Sequence, residues 1–184
     1  MKKGLIILLV IIILIAGYFW ITYNKLITLN EKVDNQWAQV ETQYQRRLDL
    51  IPNLVASVQG IMAQEQKIFG DLAEARSKYA GAKTVNEKAG AATEVEGALS
   101  RLLAIMENYP QLKSADTVQT LMAQLEGTEN RISVERKRFN DASRDFNITI
   151  KRVPANWLAS LFGFLEKEYF QPAAGAQNAP KVNL

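Results

Sequence analysis

The chain has 184 residues with no His and no Cys; at roughly 150 residues per domain it holds one domain and an appendage, and it can form no imidazole base, Ser-His-Asp triad, thiolate nucleophile, His or Cys zinc site or disulfide. Its formal charge is +3, but two of its 22 bases, Lys2 and Lys3, lie in the first 23 residues, which contain no acid, so the remainder carries 20 bases against 19 acids. That near-neutral remainder has no electrostatic footprint for a phosphate backbone, and nucleic-acid binding is not expected.

The first predicted element is a transmembrane anchor over residues 1–23. Leu5 to Ile21 is an unbroken run without a charge or an amide, and about 18–20 helical residues cross the ~30 Å hydrocarbon core. Tyr18, Trp20 and Tyr23 cluster at its downstream end, where amphipathic rings favour the headgroup level. The rival reading is a cleaved signal peptide, whose apolar region runs about 7–15 residues and ends in a small-x-small site. Here the run is longer, and apart from Ala16 and Gly17 it is filled by large side chains. An uncleaved, single-pass anchor is therefore expected, and the missing Cys excludes lipoprotein processing. Lys2, Lys3 and the terminal amine precede the span, whereas Lys25 and Lys32 follow it. The positive-inside rule leans to a cytoplasmic amino terminus and an external body.

Residues 24–153 read as a helical bundle. Leu26, Leu29, Val33, Trp37, Val40, Tyr44, Leu48 and Ile51 recur at steps of three and four, and the spacing resumes with Val55, Val58, Met62, Phe69 and Leu72, the apolar stripe of an amphipathic helix. Pro52 either kinks one long helix or lies in the first turn of a second, with Asp49 as its N-cap. Segments 25–48 and 52–80 each reach about 36–44 Å, and a third helix near 86–108 about 34 Å. Gly81 precedes the third helix and Tyr109-Pro110 closes it; Gly90 weakens its start by about 1 kcal/mol relative to Ala. The fourth helix holds a seven-residue repeat: Val118, Leu121, Leu125, Thr128, Ile132, Glu135, Phe139, Ala142, Phe146 and Thr149. Strict heptads imply left-handed packing. Similar reach and short connections favour an antiparallel up-down four-helix bundle over a single kinked helix of residues 25–80, making the fold all-α.

Pro154 ends the bundle. Residues 154–170 carry Trp157, Leu158, Leu161, Phe162, Leu165 and Phe170 and read as an aromatic helix or hook. It either caps the open end of the bundle or lies on the membrane or a partner; Glu166 and Glu168 beside Lys167 weigh towards capping. Residues 171–184 have almost no large apolar side chains and are expected to be a disordered tail. No β signature is present.

The polar clusters read as structural. Arg46, Arg47 and Asp49 suit helix capping and an ion pair, because a lipid patch needs about 4–8 clustered bases. Thr128 and Glu135 fall on the seam of the fourth helix, where a buried carboxylate needs a partner; Arg46, Arg47 and Arg76 are the candidates, in a pair that fixes register more than it stabilises. Glu94 with Glu96, and Glu126 with Glu129, are taken as solvated faces, since a di-metal bundle would use Glu-x-x-His and there is no calcium loop. No glycine-rich phosphate loop is present, so no nucleotide is expected, and the sequon Asn147-Ile-Thr149 lies inside a helix. No catalytic, cofactor-binding or metal residue is nominated.

The phrases Gln43-Tyr-Gln-Arg-Arg-Leu-Asp-Leu-Ile-Pro-Asn-Leu-Val55, Glu107-Asn-Tyr-Pro-Gln-Leu-Lys113 and Thr128-Glu-Asn-Arg-Ile132 resemble the hallmarks of the LemA family. Phe139-Asn140, Phe146-Asn147, Phe162-Gly-Phe164 and Tyr169-Phe170 add to the match, which spans nearly the whole chain. The resemblance implies a bacterial protein with one amino-terminal transmembrane helix and a helical body, and no established enzymatic activity, cofactor or catalytic residue. It also implies a cytoplasmic body, opposite to the charge count. A sensor kinase that shares the LemA name is unrelated, since this chain has neither a His to phosphorylate nor a kinase glycine loop.

The expected function is therefore interaction rather than catalysis. The chain reads as a membrane-anchored bundle in the bacterial plasma (inner) membrane, touching the lipid bilayer through its first helix. Its body would scaffold an envelope protein partner or self-associate. The alternatives are a carboxylate-only hydrolase, which needs two acids facing one cleft, and a self-assembling membrane-remodelling protein.

Overall fold

The computed structural model describes residues 2–171. The order is α1 (Lys2–Val58), α2 (Gln66–Gly81), α3 (Val85–Met106), α4 (Pro110–Lys113), α5 (Asp116–Lys151) and α6 (Ala155–Leu161). The described residues are all-helical, with no strand among them. Apart from Gln171, the tail expected at 171–184 lies outside the described residues.

The membrane-anchor run is the opening part of α1, not a separate helix. Its large apolar residues from Leu5 to Leu14 are exposed all round, and α1 is long and apolar enough to cross a membrane. A helix that is apolar on every face and touches nothing needs lipid to cover it.

Pro52 does not separate two helices. α1 runs through it to Val58, and Asp49 accepts a surface hydrogen bond from Gln45 at 2.8 Å instead of capping a new helix. Proline inside a helix costs about 3 kcal/mol through the lost N–H bond and the ring clash. Leu48, Ile51, Leu54 and Val58 are all buried, so the apolar stripe stays in phase past the proline, whose ring is exposed. Each such side chain contributes about 1.5–3 kcal/mol on burial. Continuing the helix beyond Pro52 therefore outweighs breaking it. The chain turns instead at residues 59–65, where Gly60 opens the helix and Met62 donates to the Val58 carbonyl at 2.9 Å while its side chain is fully buried.

The remaining boundaries follow local chemistry. Thr84 accepts from the Glu87 N–H at 3.2 Å, and the Glu87 carboxylate accepts from the Thr84 N–H at 3.1 Å. This capping box closes the end of α3 that Gly90 was expected to fray. α3 stops at Met106, and Pro110 opens the one-turn α4, as a first-turn proline can. α5 buries Val118, Leu121, Leu125, Thr128, Ile132, Phe139, Ala142 and Phe146, the seam read from its heptads.

The chain forms two compact units, and α1 and α5 contribute to both. The first comprises Met1–Ala38 and Lys137–Tyr169. Here Trp37 of α1 meets Phe139 of α5, with ring centroids 5.2 Å apart, above the buried Leu26, Val33 and Phe146. The stretch after α6 is tied to α5 by Asn147, whose amide donates to the Lys167 carbonyl and accepts from the Lys167 N–H, both at 2.8 Å. The sequon asparagine is thus a buried tether. Among the described residues, the second unit comprises Gln39–Arg136 with Phe170 and Gln171. Its side chains cross-connect α1, α2, α3 and α5, as the next section details.

Candidate interaction site

Arg47 lies on the buried stripe of α1 and is 2% exposed, whereas Arg46, one step round the helix, faces solvent. A guanidinium taken out of water needs carboxylate partners. Arg47 finds two: Glu96 of α3, at 3.1 Å from Nη1, and Glu129 of α5. Glu96 also accepts from Arg136, whose Nε donates to the Tyr44 hydroxyl at 2.7 Å. The Arg136 guanidinium lies over the rings of Phe170, at 4.5 Å, and Tyr44, at 5.3 Å. Tyr44 in turn stacks on Phe170 and tilts against Tyr79 of α2, 5.5 Å away. One ionic and aromatic network thereby joins four helices and the incoming carboxyl-terminal segment. Lys88 of α3 adds an ion pair to Glu41 of α1.

Burial sets the electrostatics. It pushes the Tyr44 phenol from 10.0 up to about 12, against the opposing pull of Arg136. It likewise raises Tyr79, with Glu41 adding to the effect. Desolvation lowers Arg47, and Glu96 restores part of the loss by favouring the charged form.

Above Arg47 lies a groove between α3 and α5 of about 850 Å³. Leu99, Leu103 and Met106 line it from α3, and Val118, Met122 and Leu125 from α5. Glu96, Glu107, Glu126 and Glu129 border it, and Glu107, Glu126 and Glu129 are exposed. The result is an apolar trough with acidic margins and one basic group, already paired, at its base.

Several expectations for the polar residues change. Arg47 does form an ion pair, but with distant helices rather than at a local turn with Asp49. Glu96, read as part of a solvated face, is partly buried and serves two arginines. Glu94 does stay at the surface, pairing with Lys78 at 2.9 Å. Glu129 is half-exposed yet bound to Arg47. Thr128 is buried and satisfies its hydroxyl within the helix, on the Gln124 carbonyl at 2.8 Å. Glu135 is half-buried, while Arg47, one of the three arginines considered for it, pairs with Glu96 and Glu129. Among the described residues, no group of three or more acidic, His or Cys side chains could hold a metal ion.

No sequence signal pairs Arg136 with Phe170 or marks the groove. Arg136 and Tyr44 are 92 residues apart, and neither periodicity nor spacing encodes a contact over that distance.

Fold and site together define a membrane-associated, all-helical protein with a polar network beneath an apolar groove. The LemA family model matches residues 36–184, and the chain belongs to the LemA family. It is similar to the magnetosome protein MamQ of Magnetospirillum gryphiswaldense, 30% identical over 174 residues, which is 80% of this chain and 64% of that protein. Two magnetosome proteins MamQ of Paramagnetospirillum magneticum are also 30% identical, over 175 residues, covering 81% of this chain and 64% of each relative. The chain thus spans under two thirds of the length of these relatives.

Proposed function

We propose that this LemA-family chain is a membrane-tethered interaction module of the bacterial envelope, and that its α3–α5 groove receives an amphipathic helix from a protein partner. The groove itself carries the reading. Its apolar floor has room for side chains spaced along one helix face, and two methionines, Met106 and Met122, let it adapt to their shapes. The exposed margin carboxylates favour a partner with basic residues flanking its apolar face. Glu96 and Glu129 are engaged by Arg47, so the groove acids serve architecture and recognition, and we assign no catalysis to them. The amino terminus is taken as cytoplasmic, on Lys2 and Lys3 ahead of the span, with the body outside the plasma membrane.

The test is in-cell photocrosslinking of the full chain from Met122, with Lys137 as an exposed control. A discrete adduct from 122 that is absent from 137, and is lost on Leu103→Glu, is expected. Identical adducts from both positions would refute the groove as the docking face. So would an adduct containing only a second copy of this chain, which makes self-association its role. Hydrolysis of an ester or amide substrate by the purified protein, abolished by Glu126→Gln, would replace binding with catalysis.

A further inference from the structure

The carboxyl-terminal segment meets α1 where its membrane-exposed stretch ends. Thr22 and Leu26 are the first buried residues of the helix, while Trp20 and Ile21 are exposed. Tyr23, about 3 Å further along the axis than Ile21, packs on Phe162 with ring centroids 4.6 Å apart and on Phe164 at 6.4 Å. Phe164 also contacts Phe146 of α5 at 6.2 Å. The hook is therefore fastened at the level where the apolar helix emerges from lipid.

Its own side chains divide into two faces. Ala155, Leu158 and Ala159 of α6 are buried. Trp157 is 64%, Leu161 73% and Leu165 79% exposed, and Val153 and Phe162 are open beside them. Gly163 keeps the two faces apart. At φ 72° it sits in the left-handed region, and the Gly163 and Phe164 N–H groups fold back onto Ser160 and Ala159, at 3.4 and 2.9 Å. That turn sends Phe164 inward and leaves Leu161, Phe162 and Leu165 outside. Of the two acids weighed against a membrane role, Glu166 pairs with Lys151 at 2.8 Å, and Lys25 and Arg152 are exposed close in sequence to the span and hook.

We infer that Val153, Trp157, Leu161, Phe162 and Leu165 form a second membrane contact, inserted at the headgroup–acyl boundary beside the exit of α1. The two roles weighed for the segment then apply together: one face packs on the helices, and the other is wetted by lipid. Such a patch is too apolar to leave in water, and it is continuous through Phe162 and Tyr23 with the surface that lipid already covers. An interfacial segment of this kind dips about 5–10 Å into the boundary. It gives the body a second attachment, which a single helix crossing the bilayer lacks.

The chain has no cysteine, so single cysteines can be placed freely. Leu161→Cys, Leu165→Cys, Lys137→Cys and Ile13→Cys in the full chain are labelled with an environment-sensitive dye and reconstituted in vesicles of phosphatidylcholine and phosphatidylglycerol, with or without acyl-brominated lipid. Dyes at 161 and 165 should shift to the blue and lose about half their intensity in bromolipid, as an interfacial segment would; the dye at 13 should be quenched and the dye at 137 unaffected. Quenching at 13 with none at 161 and 165 would overturn the inference while leaving the anchor intact. Dyes at 161 and 165 that are blue-shifted but unquenched would overturn it in favour of a protein, or a second copy, covering the face. No quenching at any position would refute the membrane reading as a whole. The groove proposal is untouched by all these outcomes.

Discussion

Arg47 is where burial and charge oppose each other most directly. Its guanidinium reaches Glu96 and Glu129 on two different helices, which a planar fork of donors can do and a point-like ammonium cannot. Arg47→Lys should therefore cost about 1–3 kcal/mol, short of the full penalty for breaking a buried pair because both carboxylates keep contact with water. Urea unfolding followed by circular dichroism in detergent would show it, and an unchanged midpoint would mean that the network adds nothing. Tyr44 makes a pH prediction. Its phenol is raised from 10.0 to about 12 by burial, so the folded chain holds that proton more tightly than the unfolded chain. The associated stability is complete below pH 10.0, the unfolded value, and is lost as the pH climbs towards about 12. Stability should fall across this interval, and Tyr44→Phe should flatten the fall even though it weakens the protein at neutral pH by removing the bond to Arg136. An equal slope in both proteins would place the alkaline sensitivity elsewhere.

At the scale of elements, α1 shows an apolar stripe overruling a helix breaker. Pro52 is exposed, in phase with nothing it disrupts, and carries six further helical residues to Val58. Restoring the missing N–H with Pro52→Ala should raise stability by about 1–3 kcal/mol. Loss of stability on that substitution would show that the proline sets a bend the packing needs. The helical pattern of α3 and α5 was legible from sequence because amphipathic periodicity is a local signal. The α1–α2 boundary was not. Pro52 is the stronger breaker in isolation, whereas the actual turn at Gly60 depends on which side chains, Met62 above all, find a buried place.

For the molecule as a whole, the proposed orientation of the anchor is tested by a pair of reporters. The orientation proposed above, with Lys2 and Lys3 on the cytoplasmic side of the span, has the body outside the cytoplasm. An alkaline phosphatase reporter fused after Leu184 should be active, and a fluorescent protein that matures only in the cytosol should be dark. The reverse pair of results would give the body to the cytoplasm and confine its partners to that side. Either result leaves the α3–α5 groove in place and changes only which proteins can reach it.

Composition alone removed imidazole and thiolate chemistry from this chain, because residues that are absent cannot act wherever the chain folds. Continuous apolarity likewise marked the anchor, and 3.5-residue spacing marked α5, since both are properties of neighbours along the chain. The partners of Arg47, the seating of Arg136 over the rings of Tyr44 and Phe170, and the outward face of the hook belong to the tertiary structure. Each depends on residues tens of positions apart coming together, and on which of two similar apolar side chains, Leu158 or Leu161, is turned inward. Local patterns carry no information about that choice; it is made when competing burials are settled across the whole core.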